Sequence, residues 1–201
     1  MQEVATPDIN ARIAERVREL RAAQGLTLDA LAARCAVSRS MISLIERDAA
    51  NPTAVVLEKL ATGLGVSLAG LFEAPRADTA PNPLVRRAQQ LQWRDPASGY
   101  LRRNVSPPHW QSPLQTVEVE FPARARVAYE TGVRDSPIHQ QVWVLAGCID
   151  ITLGDEHYRL DVGDCLAMRL DRPIVFSNPT RQSARYIVTI ATEPRSPRRA
   201  A

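Results

Sequence analysis

The sequence predicts a multidomain α and β protein, with an all-α unit at the N-terminus and an all-β unit behind it. Three observations carry this. Residues 10–73 place apolar side chains at helical spacing, as in Ile13, Val17 and Leu20. From about Gln115 the period drops to two, with Val117, Val119 and Phe121 alternating with Glu118 and Glu120, and Ile149, Ile151 and Leu153 alternating with Asp150 and Thr152. Between the two patterns lies Pro75–Pro83, whose three prolines stand with Asp78, Thr79 and Asn82 and read as a linker that buries little. The expected divisions are a helical unit over 10–74, a linker over 75–98, a β unit over 99–193 and a frayed basic tail over 194–201, with Arg195, Arg198 and Arg199.

Composition narrows the class. A chain of 201 residues with 45% hydrophobic and 23% charged residues has enough apolar surface for a packed core. The first ten residues carry no apolar run and no later stretch approaches about 18 uninterrupted apolar residues, so a cytoplasmic protein without a membrane span is expected. Cys35, Cys148 and Cys165 are odd in number and widely spaced, which speaks against disulfides or a zinc knot; they are expected to be small buried hydrophobes. The net charge of +3 hints at an anionic partner. Residues 1–74, however, hold eight Lys or Arg against nine Asp or Glu, so an argument for DNA must rest on geometry.

Thr27–Glu46 supplies that geometry. Thr27 is placed to cap a helix with Asp29 in its first turn and with Leu28, Leu31, Ala32 and Cys35 on one apolar stripe. That helix stops near Ala36. Ser38 caps a second one, in which Ile42 and Ile45 face inward while Arg39, Ser40, Ser43 and Arg47 face out. Two short helices joined by a tight turn form a helix-turn-helix.

From Ile13 to Phe72 the chain resembles the phage-repressor-like (XRE) helix-turn-helix family. The features that match are small Ala32, inward Val37, Ile42 and Ile45, the segment SMISLIER, then NPT, then LEKLATGLGVSLAGLF for fourth and fifth helices. Two positions depart from the pattern: Ala36 stands where such turns often hold Gly, and Leu28 where many relatives place a polar phosphate contact. The resemblance implies a five-helix domain whose second motif helix enters the major groove. It nominates Ser38, Arg39 and Ser40 for base edges, with Arg39 gripping guanine, and Thr27, Ser43 and Arg47 for phosphates. Arg21 and Glu46 correspond to a charged pair that relatives bury between the first and third helices.

The β unit reads as short strands with turns at Ala146-Gly147, Gly154-Asp155, Gly163-Asp164 and Asp171-Arg172-Pro173, the rhythm of a barrel or sandwich. The segment VWVLAGCIDITLGDEHYRLDVGDCLAMRLDRPIVFSNP resembles the cupin pattern, which implies a double-stranded β-helix barrel over roughly Gly99–Thr192. Metal-binding cupins carry three His and a Glu, and the matching positions here hold Arg134, Ser136, Gln140 and Ile174, so no metal and no cofactor are expected. His139 stands one residue out of place, and His109 and His157 are far off in sequence.

Alternation puts His139, Gln141 and Trp143 on one face of a strand and Val142 and Val144 on the other. If the first set faces the interior it offers a ring, an amide and an indole to a ligand, with Tyr129, Tyr158 and Met168 as further candidates; if the valines do, the interior is dry and the barrel structural. Leu84–Val105 is basic, and its Arg86, Arg87, Arg94, Arg102 and Arg103 beside Trp93 are read first as a solvated or subunit-bridging face and second as phosphate contacts.

The leading reading is a homodimeric, sequence-specific DNA-binding transcription regulator, not an enzyme. Its partner would be a pseudo-palindromic double-stranded operator, and its barrel would pair two heads and leave room for a small-molecule effector. Two alternatives stay open: a metal-dependent cupin enzyme tethered to DNA, and an antitoxin-like protein-interaction module.

Overall fold

The computed structural model describes residues 9–73, 82–108, 110, 112–130 and 137–192. Residues 75–81 of the expected linker, His109, Arg134, Ser136 and the 194–201 tail lie outside these. The head consists of α1 (Ile9–Ala23), α2 (Leu28–Cys35), α3 (Arg39–Glu46) and α4 (Ala54–Leu64). Three of the four open on a side-chain cap: Thr27 Oγ1 accepts from the Ala30 N–H, Ser38 Oγ from Met41 and Thr53 Oγ1 from Val56. Each cap satisfies a donor that the helix itself leaves orphaned.

The expected fifth helix is instead one 3-10 turn, Ala69–Phe72. The left-handed Gly65 ends α4, and the Ser67 Oγ accepts from the Gly70 N–H. Only a few residues then remain before Pro75, too few to nucleate an α-helix. Gly63 marks a close crossing of α2 and α4, because a Cβ there would meet Cys35 Cβ at 2.8 Å.

A second 3-10 turn at Arg87–Gln89 leads into β1 (Gln92–Arg94) and β2 (Leu101–Asn104). There follow β3 (Leu114–Phe121), β4 (Arg126–Tyr129), β5 (Ile138–Ala146), β6 (Ile149–Leu153), β7 (Glu156–Leu160), β8 (Cys165–Arg169), β9 (Ile174–Ser177) and β10 (Ala184–Thr192). They form two antiparallel sheets, in the orders β1-β2-β3-β10-β5-β8 and β4-β9-β6-β7. The β unit is thus two antiparallel sheets around a shared interior, and among the described residues no pairing joins them. The sheet also begins before residue 99: Trp93 pairs with Arg102 and is buried, so part of the expected linker belongs to the β unit.

Head and sheets share one hydrophobic cluster. Phe72 of the 3-10 turn packs on Trp93, with ring centroids 5.7 Å apart, and Trp93 packs on Tyr100. Asp95 Oδ1 accepts from the Ala54 N–H at 2.9 Å, so a buried carboxylate of the β unit holds the start of α4. Ser67 Oγ donates to Gln115 Oε1 at 2.8 Å, Gln115 donates in turn to Glu73, and Lys59 pairs with Glu130 at 3.3 Å. A hydrophobic seam with buried polar bonds fixes the orientation of the head more tightly than a solvated linker does.

Candidate functional site

Two places can do chemistry: the outer end of α3 and the interior between the sheets. At α3, Ser38 is the cap, and its Oγ lies 3.1 Å from Ser40 Oγ. Ser38, Arg39 and Ser40 are exposed together, while Val37, Ile42 and Ile45 are buried behind them. Arg39 Nε rests 3.3 Å from Asp29 Oδ1, with both side chains largely in water, so the pair is weak and the guanidinium is easily released to another acceptor. Thr27 caps α2, and Arg47, the cap residue of α3, donates from Nε to the Ser43 carbonyl at 3.1 Å.

The frame behind this face is rigid. Arg21 makes a two-pronged bond to Glu46, from Nε to Oε1 at 2.6 Å and from Nη2 to Oε2 at 2.8 Å, and its Nη1 donates to the Leu26 carbonyl. Glu46 is buried, and the hydrogen bond to it raises the Arg21 pKa. The pair pins α1 to α3, as the sequence implied. Ala36 adopts φ 51° and ψ 40°, the left-handed region that the turn requires and that glycine occupies without strain.

The interior is reached by different residues than the sequence suggested. Ile138, Gln140, Val142 and Val144 are the buried members of β5, whereas Gln141 is exposed, Trp143 is 50% exposed and His139 is half-buried. His139, Gln141 and Trp143 therefore stand on the outer face, because one inward valine fixes the parity of the whole strand. Met168 is buried but does not line the cavity, and Tyr158 lies away from it beside Glu156. Of the six ligand candidates only Tyr129 lines it. Cys165 is exposed on β8, where alternation turns Met168 inward, so the expectation of three buried cysteines fails at that one.

Although the valines point inward, the interior is not dry. It is a cavity of about 60 Å³ bordered by Tyr100, Arg102, Tyr129, Gln140 and Tyr186 among aliphatic and phenyl side chains, with Glu58, Ser67 and Leu68 of the head at its edge. The basic stretch thus divides: Arg86, Arg87 and Arg94 are exposed, Arg103 is buried against Glu118, and Arg102 turns into the cavity. Burial pulls the Arg102 pKa down, and Tyr100, Tyr129 and Glu58 pull it back up. Burial also raises the pKa of Tyr100, and raises those of Tyr129 and Tyr186 well above the ordinary phenol. Sequence reasoning found only Tyr129 of this set, because the others come from α4, from Tyr100 and Arg102 at β2, and from β5 and β10. The one available signal was a double arginine inside a short strand.

Gln140 and Ile174, which the sequence resemblance set at two of the expected metal positions, both border the cavity. Among the described residues no group of three His, Cys, Asp or Glu is placed to hold a metal ion. No helix among them is long and apolar enough to cross a membrane.

Residues 17–71 match the helix-turn-helix family HTH_3. The head is an XRE-type HTH_3 domain. Over 174 residues, 86% of this chain and 91% of the relative, the chain is 27% identical to the HTH-type transcriptional regulator PuuR of Escherichia coli (strain K12). It is 24% identical to SutR of the same organism, an HTH-type transcriptional regulator, over 85% of this chain and 89% of that one. The crystal structure of an HTH_3 family transcriptional regulator from Vibrio cholerae superposes with a TM-score of 0.73 at 23% identity, covering 93% of this chain and 98% of that one. The likeness to that structure extends through both units, so the HTH_3 domain and the two sheets behind it recur together in one fold.

Proposed function

We propose that the chain is a sequence-specific DNA-binding transcription regulator that works as a dimer. The observation that carries this is the exposed α3 start, Ser38-Arg39-Ser40, presented by a capped and ion-paired helix-turn-helix within an HTH_3 domain. Arg39 is the base-reading residue, because a guanidinium donates two parallel bonds to guanine. Ser38 and Ser40 accompany it, while Thr27, Ser43 and Arg47 face phosphates and set register. The names of the relatives support regulation of transcription as the outcome.

The outer face of the larger sheet supports the dimer. Trp143, 50% exposed, pairs with Cys165 of β8 and with Ile187 of β10, and the ion-paired Glu118 and Arg185 rim this apolar group. An exposed indole among small apolar neighbours is the usual make-up of an interface core. The cupin-like interior would serve effector sensing, and the dimer would set two recognition helices about 34 Å apart on a pseudo-palindromic operator.

The test is duplex binding by the full chain to DNA enriched from a randomised pool and to DNA upstream of its own coding region. Arg39→Ala is expected to relax preference at one base pair per half-site, by about 1–3 kcal/mol. Arg47→Ala is expected to weaken all sequences alike and to lower the salt slope by about one. Uniform loss from both variants would refute the division of roles.

A further inference from the structure

We propose that the cavity between the sheets is a binding site for a small organic acid whose carboxylate is held by Arg102. This deepens the effector-sensing part of the regulator reading and rests on it. Arg102 is 5% exposed, and its Nε and Nη2 are both buried without a hydrogen-bond partner. A buried guanidinium in this state is costly, since each unmade bond forfeits a partner that water supplied in the unfolded chain. The two nitrogens are not scattered. Nε and Nη2 form one edge of the guanidinium plane, and their two parallel N–H groups match the two oxygens of a carboxylate.

The surroundings set the rest of the ligand. The guanidinium carbon lies 5.2 Å from the centre of the Phe72 ring, so the cation is stacked on an aromatic face that takes up none of the Nε and Nη2 hydrogen bonds. Val119, Val188 and Ile190 offer an aliphatic wall, and Tyr100 and Tyr129, whose hydroxyls lie 3.3 Å apart, offer hydroxyl partners. Glu58 borders the same space, so the head contributes a carboxylate to its wall. On the scale where one water needs about 10–15 Å³, the volume takes roughly four to six waters, so the acid has roughly that number of non-hydrogen atoms. Because Glu58, Ser67 and Leu68 belong to the head, and Phe72 of the head backs the Arg102 guanidinium, an occupant of this site borders the DNA-binding domain directly.

The experiment uses the full chain, titrated by calorimetry and by thermal shift with acetate, butyrate and lactate against their amides, alongside duplex binding. At least one acid is expected to bind at millimolar concentration, with its amide weaker by roughly ten- to a hundredfold, the worth of a charge-assisted pair of bonds. Arg102→Met is expected to lose the acid by a similar factor while keeping its affinity for the enriched duplex. No binding of any of the three acids, or equal binding of acid and amide, overturns the proposal, as does undiminished acid binding by a folded Arg102→Met. Should that variant not fold, the acid and amide comparison on the unaltered chain decides. A chain that prefers no duplex sequence defeats the regulator reading instead, and that result is separate from the titrations.

Discussion

Ala36 shows how a single residue reports on its turn. It is exposed and left-handed at the junction of α2 and α3, where the lack of a Cβ would remove strain of about 1–2 kcal/mol. The greater freedom of glycine in the unfolded chain takes back about 0.4–1 kcal/mol. Ala36→Gly is therefore expected to stabilise the protein by roughly 0.5–1 kcal/mol in urea denaturation, and a loss of stability would contradict the strain. The departure from the family pattern was visible in the sequence, but its sign needed the dihedral angle. The roles of Thr27 and Ser38 as caps were also legible, since a cap depends on residues three positions away. Arg39 was legible as outward-facing, while its resting contact with Asp29 of the neighbouring helix was not.

At the scale of elements, the helices were read well and the faces of the strands were not. Amphipathic spacing in α2 and α3 leaves one possible buried side. In β5 it leaves two, because Ile138, Val142 and Val144 share their face with a glutamine while His139, Gln141 and Trp143 form a plausible alternative lining. The choice falls to the partners: β10 brings Tyr186, Val188 and Ile190 to the same interior. The fifth helix failed for a local reason, since Gly65 and the Ser67 bond to Gly70 close the chain into a 3-10 turn.

The strands around the cavity also carry a pH signature. Tyr100, Tyr129 and Tyr186 have pKa values raised chiefly by burial, so the folded state holds its protons more tightly than the unfolded chain does. Their contribution to stability is complete below the unfolded phenol value of about 10 and is lost as pH climbs from there toward the folded values. Alkaline titration followed by phenolate absorbance is expected to show these three ionising together with loss of near-ultraviolet dichroism. Smooth ionisation in an intact fold would contradict their burial.

For the whole molecule, the sequence suggested two units on a string, and the structure places them in one cluster. The seam of Phe72 on Trp93, Asp95 on the start of α4 and Ser67 on Gln115 joins residues 20 to 50 positions apart, a distance at which no periodicity speaks. This seam joins the β unit around the cavity to the start of α4 and to the Ala69–Phe72 turn of the head. The proposed dimer is tested at Trp143: Trp143→Glu is expected to yield a monomer by sedimentation velocity and to weaken operator binding by more than tenfold, with α3 unchanged. A variant that stays dimeric would move the interface off this sheet.

The central claim is that the start of α3 meets the base pairs. Hydrogen exchange of the full chain, with and without an enriched duplex, examines it most directly. The expected result is slowed exchange confined to residues 27–47, with the outer face of β5 and β10 unaffected by DNA beyond any change in dimerisation. Protection that spares residues 38–43 while appearing elsewhere on the molecule would contradict it.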